Sequence, residues 1–235
     1  METTADRPFN TAYRGEHLSR VAFPLGGIGA GMICLEGTGA LSHVSLRHRP
    51  DVFHEPCVFA AVCVRGVDGN VSRVLEGPVP GWKLFGTANA GNGSPGRPLG
   101  LPRFAEAEFC ARFPFGSVTL RDPGVPLAVE ITGWSPFEPG DSDNSSLPVA
   151  ALEYTFVNDG PAPVEAVFSF NARNFMALAP QRQVTETVSG GFVLADAGTP
   201  DQPDASGAFA AFVDAPDVRV NAAWFRGGWW DALTM

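Results

Sequence analysis

Charge is scarce in this chain. Asp, Glu, Lys and Arg make up 17% of its 235 residues, and apolar residues reach 45%, where an ordinary soluble domain carries roughly 25% charge. The balance allows a sizeable core and predicts that part of a charge-poor surface is covered by a partner. Positive charge is the scarcer sign. A net charge of −9 and a pI near 4.8 exclude nucleic acid and anionic membrane as partners, because a polyanion would be repelled. A neutral sugar meets no such repulsion. Cysteine is limited to Cys34, Cys57, Cys63 and Cys110, with no Cys-x-x-Cys spacing and three of the four inside apolar, strand-like runs. Buried free thiols are expected, not a disulfide framework. Long apolar runs are absent: the longest, 57–64, falls far short of the roughly 20 residues a spanning helix needs. Residues 1–7 show no basic stretch leading into an apolar one, and the expectation is a soluble, cytoplasmic protein.

Helical periodicity is missing too, since no segment sustains an apolar 3.6-residue repeat over three turns. Gly (27) and Pro (21) are abundant instead, about a fifth of the chain, which is above average usage yet below the low-complexity range. Strand-like segments alternate with turn signals at 29–36, 40–46, 57–65, 71–75, 104–113, 117–121, 127–132, 149–158, 164–172, 184–189, 191–195, 209–214 and 218–225. Turns are marked by Glu36-Gly37-Thr38-Gly39, Arg121-Asp122-Pro123-Gly124 and Ser189-Gly190-Gly191, where Gly supplies positive φ. So many short strands would curl or split as one open sheet. The predicted fold is all-β, a large two-sheet antiparallel β-sandwich forming a single domain over 1–235. Residues 87–102 and 196–208 are expected as long loops within it.

Several motifs invite a chemical reading. Gly26-Gly27-Ile28-Gly29-Ala30-Gly31 does not fit G-x-G-x-x-G and is followed by a strand pattern where a phosphate-binding helix is needed. It predicts a turn where backbones approach closely. Asp141-Ser142-Asp143-Asn144-Ser145-Ser146 opens like a calcium loop, but Ser146 and Leu152 stand where that loop requires Gly and Glu. An Asx/Ser turn network is expected there, with no metal and no cofactor. Glycoside hydrolysis needs two carboxylates roughly 5 to 9.5 Å apart; Glu36, Asp51, Glu55, Glu106, Glu108, Asp141, Asp143 and Glu153 are present, and nothing in their spacing selects a pair. Glu106 and Glu108 share one strand face and are expected as its solvated side. His43, His48 and His54 lack a spacing that would converge on zinc, and there is no G-x-S-x-G elbow. Trp82 and Trp134 could stack on sugar C–H faces or fill the core and pin a loop; both readings remain open.

Residues 133–158 join a constrained polar loop to a strand with a clear face. Pro136, Pro139 and Gly140 fix the loop, while Leu152, Tyr154 and Phe156 alternate with Ala151, Glu153 and Thr155. Residues 134–152, together with Phe23-Pro24-Leu25-Gly26-Gly27-Ile28-Gly29-Ala30-Gly31 and the closing Trp229-Trp230-Asp231-Ala232-Leu233-Thr234-Met235, resemble the N-terminal domain of glycoside hydrolase family 116. That family contains β-glucosidases and non-lysosomal glucosylceramidases. The resemblance implies a β-sandwich packed on a C-terminal (α/α)6 barrel that carries the catalytic carboxylates, and none of the family's catalytic motifs has a matching position here. It further implies a supporting role for this domain, with Trp134, Asp141 and Asp143 as candidate substrate contacts. Most chain ends are polar, whereas this one is rich in Trp. Trp229, Trp230, Leu233 and Met235 are therefore expected to contact the barrel, and the chain to be the leading part of a longer or split glycosidase. A stand-alone carbohydrate-binding module is the alternative.

Overall fold

The computed structural model describes residues 9–52, 54–66, 69–85 and 98–222. Backbone contacts divide the chain into two compact units, one running to Asn171 and one starting at Ala172. The first unit carries β1 (Tyr13–Arg14), β2 (Ala22–Leu25), β3 (Met32–Glu36), β4 (Leu41–Ser45), β5 (Val58–Arg65), β6 (Val71–Val74), β7 (Glu106–Arg112), β8 (Phe115–Arg121), β9 (Ala128–Trp134), β10 (Ala151–Val157) and β11 (Glu165–Ala172). They form a five-stranded sheet in the order β1-β7-β8-β9-β10 and two three-stranded sheets, β2-β3-β4 and β11-β5-β6. The architecture is the all-β antiparallel sandwich expected. Among the described residues helix is confined to short pieces, including α1 (Gly81–Phe85) and α2 (Ser142–Ser145).

Alternation along the strands decides which face of the large sheet is buried. Cross-strand partners share a face, and the register aligns Tyr13, Phe109, Val118, Ile131 and Tyr154 in one row across all five strands. The neighbouring row on that face holds Ala107, Leu120, Val129 and Phe156. Phe109, Val118, Leu120, Val129 and Ile131 are at most 1% exposed, and they join Leu25, Leu35, Ala60, Val62 and Val64 from the two smaller sheets in one core cluster. Burying each such side chain contributes about 1.5–3 kcal/mol.

A third inward row, Ala111, Gly116, Gly133 and Leu152, is small for a reason. A Cβ on Gly133 would lie 2.9 Å from Leu35 Cδ2, and one on Gly116 would lie 2.9 Å from the Phe23 ring. The missing side chains let the β2-β3-β4 sheet approach the large one. Strand β5 lies between β6 and β11 and is buried from Val58 to Val64, so both of its faces are covered. This accounts for the longest apolar run in the sequence: it is a central strand.

The second unit contains β12 (Gln183–Val188), β13 (Gly191–Asp196) and β14 (Gly207–Phe212), an antiparallel sheet in that order. Asp196, 2% exposed, is satisfied locally. It accepts hydrogen bonds from Leu178 N (2.7 Å) and Gly198 N (2.8 Å) and pairs with Arg182 Nε at 3.1 Å. Asn174 Nδ2 donates to the carbonyls of Val184 and Ala195, and Phe175 packs on Phe209 with centroids 4.9 Å apart.

Two expectations need correction. Residues 218–222 form no strand, despite their alternation; they follow a turn with Asp217 at φ 62°, and the rest of the expected 218–225 strand lies outside the described residues. Strand β2, in contrast, forms although it contains Pro24; it is an edge strand, where a missing N–H is tolerated.

Candidate functional site

Two segments far apart in sequence meet at one end of the first unit. The β2–β3 connection, 26–31, lies against the loop and helix that follow β9. Gly26 N donates to Ser135 Oγ at 2.6 Å, and Ile28 N donates to Ser145 O at 2.9 Å. A Cβ on Gly27 would fall 2.2 Å from Leu147 O, so only glycine permits this approach. The glycine-rich motif is thus the close backbone contact its sequence predicted.

The 135–147 segment is fixed from within. Ser145, 3% exposed, donates from Oγ to Glu138 O and accepts from Glu138 N, both at 3.0 Å. Asp141 caps α2: Oδ1 accepts from Asp143 N and Asn144 N at 3.0 Å each, and Oδ2 accepts from Asn144 Nδ2 at 2.6 Å. These bonds, first those from Asn144 N and its amide, hold the Asp141 carboxyl below its usual range. The Asx/Ser network expected from the sequence is present. Asp141 is committed to the loop itself, and Asp143 stands exposed in the first turn of α2.

Trp134 joins neither the core nor this network. Gly133 faces inward, so parity along β9 turns Trp134 to the opposite face, half-buried beside Phe115 with ring centroids 6.3 Å apart. Phe113 packs edge-on against Phe137 at 4.8 Å. Phe113, Phe115, Phe137, Leu147, Val149 and Ile28 are between 42% and 66% exposed. Around the paired loops, then, runs an apolar rim; exposed apolar side chains also occur elsewhere, among them Phe9, Leu178 and Phe212. Trp82 is 45% exposed and also lies outside the core. Trp229, Trp230, Leu233 and Met235 fall outside the described residues.

Sequence reasoning missed a buried ionic cluster. Lys83 on α1, the only lysine of the chain, places Nζ 2.7 and 2.8 Å from the two Glu36 oxygens and 3.0 Å from Glu55 Oε1. Arg103 Nε donates to Glu76 Oε2 at 3.0 Å, and its Nη1 donates to the Leu99 and Leu101 carbonyls. Burial pushes the Glu76 carboxyl upward, against the lowering effect of Arg103. Burial, then Glu76, likewise raises the Tyr154 phenol. Between these groups lies a cavity of about 40 Å³, a volume suited to a few waters and not to a substrate. The cluster ties α1 to β3 and is structural in character. Its members are spread from 36 to 103, so the solitary lysine in an apolar setting was the one signal available. Glu36 and Glu55 do converge, but on one lysine with which both are paired.

The four cysteines are free, and Cys34, Cys57 and Cys63 are buried. Burial and then Glu36 push the Cys34 thiol up to about 11, which keeps it protonated and unreactive at neutral pH.

A family model described as beta-glucosidase 2, glycosyl-hydrolase family 116 N-term, matches residues 22–226. The match opens at β2 and contains both loops just described; the closing run 229–235 lies beyond it. No curated protein matches the chain.

Proposed function

The chain belongs to glycoside hydrolase family 116, as its N-terminal domain, and from that premise we propose that it is the non-catalytic half of a retaining β-glycosidase, of β-glucosidase or glucosylceramidase type. It docks on a helical-barrel catalytic domain and supports it. The observation that carries this reading is the apolar rim of Ile28, Phe113, Phe115, Phe137, Leu147 and Val149, exposed around two loops that are already rigid. A surface of that kind is stable when another protein covers it. Membership of the family as an N-terminal domain supports a catalytic domain as the occupant. At the edge of the docked face, Trp134 at the end of β9 and Asp143 contact the substrate, and Asp141 holds the loop that carries Asp143. In this reading the terminal residues Trp229, Trp230, Leu233 and Met235 also contact the catalytic domain.

The test is co-purification of this chain with a family 116 catalytic domain that lacks its own N-terminal domain. A stable complex is expected, weakened by Phe113→Ser and Phe137→Ser. A well-folded, monodisperse chain that leaves the catalytic domain unbound would defeat the proposal. The purified chain alone should leave a nitrophenyl β-glucoside intact; cleavage abolished by a single carboxylate substitution would place the chemistry in this chain instead.

A further inference from the structure

The outer face of the large sheet floors a groove that the docking reading does not use. Its volume is about 570 Å³, within the range of small-molecule sites and ample for a disaccharide. Arg14, Glu106, Glu108, Thr119 and Arg121 line it, and the register puts all five on one face of β1, β7 and β8, with Arg14 and Thr119 both opposite Glu108 and Arg121 opposite Glu106. The wall is the 78–82 segment, which ends in Trp82 at the start of α1. All of these residues lie in the first unit.

The position of Trp82 is built. Lys83, next in sequence, is buried and held by Glu36 and Glu55, and its Nζ sits 5.3 Å from the centre of the Trp82 ring. The indole is thereby anchored from behind through α1 while 45% of the residue remains exposed. Arg14 Nε donates to Glu108 Oε2 at 2.6 Å, so one guanidinium and one carboxylate are already oriented on the floor.

The lining selects the chemistry of the ligand. Two arginines stand against Glu16, Glu106 and Glu108, leaving a formal charge of −1, which disfavours phosphate or another polyanion. Among the described residues no group of three His, Cys, Asp or Glu is arranged to hold a metal ion. An apolar ligand would desolvate five charged groups without pairing them. What remains is a neutral molecule with many hydroxyls and an apolar ring face: hydroxyls bind carboxylate and guanidinium at once, and C–H groups stack on the indole. We propose that this groove binds a neutral disaccharide-sized saccharide, with Trp82 as the stacking platform and Glu106, Glu108, Arg14 and Arg121 as hydroxyl partners.

Calorimetry and tryptophan fluorescence on the full chain test this, with cellobiose, lactose, maltose and trehalose as neutral probes and glucose 6-phosphate as the anionic one. Saturable binding of at least one neutral disaccharide is expected, weakened about tenfold or more by Trp82→Ala and retained by Trp82→Phe. Should Trp82→Ala fold poorly, Glu106→Gln, on the exposed strand face, carries the same expected loss. Absence of saturable binding to every neutral probe, tighter binding of glucose 6-phosphate, or binding indifferent to both Trp82 and Glu106 overturns the proposal. Docking to a catalytic domain plays no part in the argument, so a chain that binds sugar but fails to dock, or the reverse, separates the two.

Discussion

Lys83→Met is the sharpest perturbation the fold offers. The substitution keeps the length and apolar stem of the side chain and removes its charge. Two carboxylates then lose their cation in a site where Lys83, Glu36 and Glu55 side chains are 4%, 7% and 13% exposed. Breaking a buried pair from one side typically costs about 3–5 kcal/mol. At roughly 2–4 °C per kcal/mol for a chain of this size, the midpoint should fall by about 10 °C. The internal control is Arg65→Met. That pair is as short, 2.7 Å, but its side chains are 41% and 69% exposed, and the expected loss is under about 1 kcal/mol. Distance being equal, burial is the variable. Urea denaturation of both variants at neutral pH measures the two losses. A Lys83→Met loss no larger than that of Arg65→Met would refute the reasoning.

Gly133→Ala should destabilise by about 1–3 kcal/mol, since its Cβ would meet fully buried Leu35 at 2.9 Å and Leu25 at 3.3 Å; Gly81→Ala, with open space around it, should be neutral or mildly stabilising, and equal effects at the two sites would remove the close-approach argument. Asp122→Asn should show a pH-dependent loss. Desolvation raises the Asp122 carboxyl, but hydrogen bonds from Arg73 and from Gly124 N outweigh it and hold it below its usual value. Its stabilisation is therefore present above the unfolded value of about 3.9 and lost as the pH falls through the lower folded value. The gap between wild type and variant should stay constant from neutral pH to about 4 and close below it; a gap that widens in acid reverses the sign.

Where side-chain alternation met local turn chemistry, the sequence was enough to read the structure. Leu127, Val129 and Ile131 announce the buried face of β9, and the same parity, carried two residues further, puts Gly133 inside and Trp134 outside. That inference was open, yet the size of an indole suggests a core role and hid it. The Asp141 cap was legible because a side chain that bonds its own backbone two and three residues on needs no tertiary information. The ionic cluster was not, since it forms only when β3, α1 and the strand-free segment around Glu55 come together. The Trp82 groove stayed hidden for the same reason: its floor depends on the register of three strands, and Glu106 and Glu108 look like any solvated pair until Arg14 and Arg121 are placed beside them.

The Ser145 latch has a mechanical consequence. One serine binds Glu138 through its side chain and Ile28 through its carbonyl, so the glycine-rich turn and the capped loop can shift only as a single body. A partner that touches either one meets a surface whose shape was settled during folding, and little ordering entropy is left to oppose association. Discrimination at this end of the molecule then rests on which incoming surface fits, as between two rigid castings, and a mismatch of even one bulky group would be rejected where a pliant loop would have accommodated it.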